Sequence, residues 1–213
     1  MVWRFALALT AVGTLAGLVA SSSGSGGQAV VVVPQPRVTL ITDSVAGAIA
    51  LDTGATADLA QGIDLFLEPG QARILGGKFP PGDGAIAPAS VVDLIGMLGR
   101  NLGPVVVIAV GYNDITTDYA ANMEVALAAL RASAVRRVLW VTLRVSPNHT
   151  SYETVNAAIR VAATQHPEIT VVDWNANSAP RPDWFQQDGV HLVGEGPRAL
   201  SQLIRATLVR VMG

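Results

Sequence analysis

The sequence predicts an α/β fold, an open, doubly wound parallel sheet of five strands layered between helices. Two observations lead there: five short β-branched runs, and stretches of helical spacing between them. The runs cover residues 38–41, 63–67, 105–110, 138–143 and 169–172. Four of them are nearly continuous hydrophobics, the pattern of parallel strands covered on both faces. Repeated strand–helix alternation then calls for a two-faced sheet, with the first strand expected at its centre. Such sheets bind ligands at the carboxyl ends of their strands, near the point where strand order reverses.

The helical stretches follow from their apolar spacing. Residues 117–131 carry Met123, Leu127 and Leu130 along one side. Thr150 and Glu153 have the spacing of a capping box, ahead of Val155, Ile159 and Ala162 or Ala163. The last segment places Leu200, Leu203, Ile204, Leu208 and Val211 on one face, with Arg198, Arg205 and Arg210 outward. It begins at Gly196-Pro197, where proline suits a first helical turn. Between 70 and 90, glycines and prolines such as Gly76, Gly77, Pro80 and Pro81 mark a long loop, of a kind usually functional or disordered.

Composition narrows the function classes. The chain has 213 residues, half of them apolar and 14% charged, which suits one domain with a sizeable core. A formal net charge of −2, with Lys78 the single lysine and the arginines scattered, argues against nucleic acid as a partner. Cysteine is absent, which removes disulfides, thiolate nucleophiles and zinc–sulfur sites together. Residues 1–30 differ from the rest. Arg4 precedes an apolar run over 5–20, and a Ser/Gly stretch over 21–27 follows. This is the make-up of a secretory signal, either cleaved or retained as a membrane anchor. The folded domain is therefore expected over 31–213, outside the cytoplasm.

Three polar clusters sit where strands end. Thr42-Asp43-Ser44 follows the first strand. A serine on a strand-to-helix turn has an exposed hydroxyl and a free amide, which suits a nucleophile that also stabilises an oxyanion. Taken alone, the cluster reads as a helix cap, with Asp43 or Ser44 capping. Gly111-Tyr112-Asn113-Asp114 follows the third strand, and Asn113 has the side-chain amide to donate to developing negative charge. Alone it reads as an Asx-type turn. Asp188-Gly189-Val190-His191 lies near the C-terminus, where a carboxylate three residues ahead can hold the imidazole by one nitrogen. Alone, that is a surface loop. Of the other histidines, His149 lies in a turn beside a helix cap, and His166 ends a helix.

In their order and positions the three clusters together resemble the SGNH (GDSL-like) hydrolases. Val-Thr-Leu-Ile-Thr-Asp-Ser-Val, Val-Val-Ile-Ala-Val-Gly-Tyr-Asn-Asp and Asp-Gly-Val-His-Leu-Val-Gly-Glu-Gly look like that family's first, third and fifth blocks. The resemblance covers residues 37–212. It implies a flavodoxin-like three-layer αβα sandwich, a Ser44–His191–Asp188 triad, no metal and no cofactor. It also implies an oxyanion hole made by the amides of Ser44 and a second-block glycine with the Asn113 side chain. Gly70 is the choice for that glycine, with Gly76 or Gly77 as alternatives. Thr42 departs from the family pattern, since a glycine usually precedes the Asp-Ser pair.

A narrower likeness joins Arg144, Asp173-Trp174 and Pro182-Asp183-Trp184-Phe185 to the soluble SGNH domains attached to bacterial membrane acyltransferases. It implies a glycan or small acyl ester as substrate and a membrane acyltransferase as partner; the apolar run over 5–20 is a candidate tether. Trp174, Trp184 and Phe185 then read either as an acceptor site or as buried packing. The resulting expectation is an exported serine esterase. The alternatives are an O-acyltransferase with the same triad and a carbohydrate- or lipid-binding module with a decayed site. A phosphate or flavin binder is disfavoured, because no glycine-rich phosphate loop follows the first strand.

Overall fold

A computed structural model describes residues 34–77, 88–114 and 118–213. The apolar N-terminal segment and residues 78–87 of the Gly/Pro-rich loop lie outside the described residues. Five strands form one parallel sheet: β1 (Arg37–Thr42), β2 (Asp64–Glu68), β3 (Val105–Ala109), β4 (Arg137–Val141) and β5 (Ile169–Val172). Their order is β2-β1-β3-β4-β5. The α/β prediction stands, with one correction: β3 occupies the centre and β1 lies second. The chain crosses once outward from β1 to the edge strand β2, then returns past β1 to lay down the other three. The reversal falls between β1 and β3, so their carboxyl ends flank the ligand-binding crevice of this topology.

The burial pattern follows from the sequence. All of β3, Val-Val-Val-Ile-Ala, is buried, whereas edge strand β2 begins with an exposed Asp64 and is only half-buried beyond it. β4 stops at Val141, two residues before its apolar run ends. There the Asn156 side chain takes over from the ladder, accepting from the Leu143 amide and donating to its carbonyl, both at 2.7 Å.

Helices α1 (Ala48–Leu51) and α2 (Thr53–Ala60) share one layer with α7 (Gly196–Met212). The other layer holds α3 (Val91–Leu98), α4 (Tyr119–Ala132) and α5 (Tyr152–Gln165); the short α6 (Trp174–Ser178) follows β5. On α7 the expected stripe is inward, with Leu200, Ile204 and Leu208 buried. The predicted capping box is not formed. α5 starts at Tyr152 with Ser151 ahead of it and no side-chain cap, while Glu153 donates its amide to the Thr150 carbonyl in a backbone turn. A reciprocal box does close α3, between Ser90 and Asp93. Inside the core, Trp140 donates to the Tyr119 hydroxyl (2.9 Å), which donates to the Val110 carbonyl (2.7 Å). Each buried polar group in that chain has a partner, and together they lock α4 onto the end of β3.

Candidate active site

The turn after β1 is built around a buried carboxylate. Asp43, with no exposed surface, accepts from the Val45 amide at 3.0 Å and from the Gly111 and Tyr112 amides at 3.3 Å each. One side chain thus fastens the β1 turn to the β3 turn. Burial pushes its carboxyl up to about 6, against the pull of the Val45, Tyr112, Gly111 and Ala46 amides. The cap of α1 is Gly47, without a side-chain bond, so neither Asp43 nor Ser44 serves as its cap. Thr42 Oγ1 has no hydrogen-bond partner among the described residues. Its side chain is buried beside Gly47, where a Cβ would lie 3.4 Å from Thr42 Oγ1.

The turn after β3 starts at Gly111, whose φ is +154° and where a Cβ would meet Leu143 and Val155 at 3.1 and 3.2 Å. That positive φ, with the two side chains crowding the Cβ position, favours glycine there. Asn113 Nδ2 donates to the Arg73 carbonyl at 3.2 Å. Asp114, buried, accepts from the Leu75 amide through both oxygens, at 3.0 and 3.1 Å. Together they pin the loop after β2 against the carboxyl end of β3. The Ser44 and Gly70 amides donate to no acceptor among the described residues. Gly76, one alternative to Gly70, instead faces α3 and α4, with Asn122 and Val92 within 3.2 Å of where its Cβ would be.

The loop before α7 brings the third cluster to the first. Ser44 Oγ lies 3.2 Å from His191 Nε2 across 147 residues of sequence, and His191 Nδ1 lies 2.7 Å from Asp188 Oδ2. The other Asp188 oxygen accepts from the Val190 and His191 amides at 2.8 and 3.0 Å. Partial burial pushes Asp188 up, but those amides and the imidazole outweigh it and hold the carboxyl below its usual range. Asp183 is spent elsewhere, paired with Arg181 at 2.7 Å. His166 binds Glu124 and Arg131, while His149 bonds Ser146 and stacks on Tyr152.

The aromatics resolve in favour of packing. Trp174, Trp184 and Phe185 are all buried, the two indoles stacked at 5.6 Å. Arg144 lies 4.0 Å above the Phe185 ring and donates to the Gly189 carbonyl at 3.1 Å, bracing the loop that carries His191. Sequence reasoning found Ser44, Asn113, Asp188 and His191 as polar residues at strand ends. It treated Asp43 as a cap, noted Arg144 only in passing and missed Arg73. A charged residue within an apolar run is the available signal for Arg144; contacts spanning 40 to 69 residues hide the rest.

A parallel five-stranded sheet with serine, asparagine and histidine clusters at one end defines the SGNH hydrolase fold, and solved structures match it over most of the chain. The C-terminal catalytic domain of Streptococcus pneumoniae peptidoglycan O-acetyltransferase A, solved with a methylsulfonyl adduct, is 20% identical with a TM-score of 0.61, covering 84% of this chain and 96% of that one. TesA is 19% identical with a TM-score of 0.63 over 82% and 99%. A carbohydrate esterase family 3 protein from Talaromyces cellulolyticus is 18% identical with a TM-score of 0.57 over 83% and 98%. In sequence, the chain is 40% identical over 50 residues to a putative peptidoglycan O-acetyltransferase, YrhL, of Bacillus subtilis, and 39% over 54 residues to O-acetyltransferase OatA of Staphylococcus aureus. These stretches are 24% and 25% of this chain but only 8% and 9% of those relatives. No family model matches the chain.

Proposed function

We propose that the chain is an exported serine esterase that acts on acyl esters of cell-envelope carbohydrate or lipid through an acyl-Ser44 intermediate. The observation that carries this is the Ser44 Oγ–His191 Nε2 approach of 3.2 Å with Asp188 behind the imidazole at 2.7 Å. His191 takes the Ser44 proton as Oγ attacks the ester carbonyl, and Asp188 stabilises the imidazolium. The tetrahedral oxyanion receives the amides of Ser44 and Gly70 and the second hydrogen of Asn113 Nδ2, the first being held by the Arg73 carbonyl. The C–O bond breaks as His191 protonates the departing alcohol. Water, deprotonated by the same histidine, then releases the acid and restores Ser44. The Ser44–His191–Asp188 hydrogen-bond geometry speaks against a decayed binding module, with Thr42 in place.

Transfer to a sugar hydroxyl instead of water is the second reading, favoured by the local identity to the YrhL and OatA acetyltransferases. Export, by a signal or anchor within residues 5–20, and a membrane acyltransferase partner belong to the same proposal. No helix among the described residues is long and apolar enough to cross a membrane. Water at about 55 M wins unless an acceptor is held in place, because proximity is what offsets its abundance. Trp184, the aromatic candidate for an acceptor surface, is buried, and this favours hydrolysis. Purified protein given an acyl ester, with and without envelope oligosaccharides, tests the choice. Free acid at a rate indifferent to acceptor is expected; acylated sugar formed at the expense of free acid overturns the preference for water.

A further inference from the structure

We infer that Arg73 is a positioning residue that sets the geometry and charge of the oxyanion side of the site, acting through Gly70 and Asn113. The inference rests on the reading of Ser44 as nucleophile. After β2 the chain turns back through Pro69, Gly70, Gln71 and Ala72, the last at a left-handed φ of 52°. That sparsely populated conformation in a non-glycine residue is a local strain that the surrounding contacts must hold. It folds the Arg73 side chain beneath the turn, where Nη2 donates to the Pro69 carbonyl at 3.2 Å. A Cβ at Gly70 would lie 2.3 Å from Arg73 Nε and 2.7 Å from Cζ, so the guanidinium rests directly against the glycine. The main chain of the same residue accepts from Asn113 Nδ2. One residue therefore touches both expected oxyanion donors other than Ser44, each by a different part of itself.

The energetics are unusual for a merely structural side chain. Arg73 is 4% exposed, and among the described residues it forms no ion pair and its Nε and Nη1 have no partner. Burial pulls its pKa down, while Glu68 and Asp43 act on it from a distance in the opposite sense. Arginine nonetheless stays cationic in proteins. A buried charge without a contacting carboxylate is costly, and an apolar chain of the same length would fill the space at less cost. What the cation adds is a fixed positive charge behind the amide that faces the developing oxyanion, with no reorganisation during the reaction.

Steady-state hydrolysis of a short-chain aryl ester by the full chain, run beside fluorophosphonate labelling of Ser44, tests this. Arg73→Met should lower kcat by about 30-fold, less than the ~10²–10³ of a lost direct donor. KM should stay within about two-fold and the melting temperature at or above wild type, since a buried unpaired charge has gone. Arg73→Lys should recover part of kcat. Gly70→Ala, which drives the guanidinium from its place, should lower kcat as well and serves if Arg73→Met does not fold. Unchanged kcat in a folded Arg73→Met or in Gly70→Ala, with Ser44 still labelled, overturns the role of Arg73 alone. Wild type that is not labelled at Ser44 overturns the esterase reading beneath it.

Discussion

The two halves of the candidate triad are held by different means. The Ser44 turn is fixed from within the core: Asp43 and Asp114, both buried, bind main-chain amides of two further segments. The His191 loop is held mostly by itself. Asp188 binds the amides of its own turn, Gln186 donates to the His191 carbonyl at 2.8 Å, and Asp188 and His191 keep 41% and 44% of their side chains exposed. Arg144, three residues past the end of β4, reaches across to brace it. Activity and stability should therefore be separable on the loop side and inseparable on the turn side. Substitutions in the loop cost chemistry, whereas substitutions in the turn cost both.

The largest expected effect separates the two properties. His191→Ala should reduce ester hydrolysis by roughly 10⁴-fold or more, as for a lost general base. Its melting temperature should stay close to wild type, because the imidazole is half-exposed. A drop of several degrees would mean that the loop is not autonomous. Asn113→Ala should lower kcat by about 10²–10³, the usual cost of one oxyanion donor. Unlike His191→Ala it should also destabilise, by releasing the Arg73 carbonyl. An unchanged rate would reduce Asn113 to a turn residue. Asp188→Ala should retain more activity than His191→Ala, and Asp183→Ala should stay within a few-fold of wild type because Arg181 occupies that carboxylate. Collapse at Asp183 instead would move the carboxylate role, and kinetics on the two variants decides it.

The smallest effect is a pH dependence of stability confined to the turn. Asp43 holds its proton more tightly in the folded state, with a pKa of about 6 against an ordinary 3.8. Its contribution is complete below 3.8 and is lost as pH rises through about 6, a change of about 3 kcal/mol at most. Asp188 and Asp58 are held low and so act in the opposite sense and below that window. Thermal melts from pH 4 to 6.5 should show wild type losing stability relative to Asp43→Asn, which cannot titrate. Parallel curves for the two proteins would contradict the buried-carboxylate account.

The contrast also explains what was legible in the sequence. The five strands were readable because a strand covered on both faces, such as 105–110, has no polar positions to confuse it. The place of β1 in the sheet was not, since it depends on which side each crossover takes. Helices α2 and α3 escaped notice for a different reason: Thr53–Ala60 and Val91–Leu98 are two turns each, too short for a periodic signal. At the site, Asp188 and His191 are three residues apart and bind one another, so their pairing could be proposed from spacing. The tie between Asp43 and Tyr112 spans 69 residues, and that between Asn113 and Arg73 spans 40. Neither leaves a local pattern. Trp184 and Phe185 carried an ambiguity that only burial could remove.

Everything proposed about the chemistry depends on Ser44 being nucleophilic, and covalent labelling reads that directly. Full-length protein incubated with a fluorophosphonate, then digested and examined by mass spectrometry, should carry the label on Ser44, lose it in Ser44→Ala and gain it far more slowly in His191→Ala. Label on a different serine, or none on a folded protein, would contradict the account.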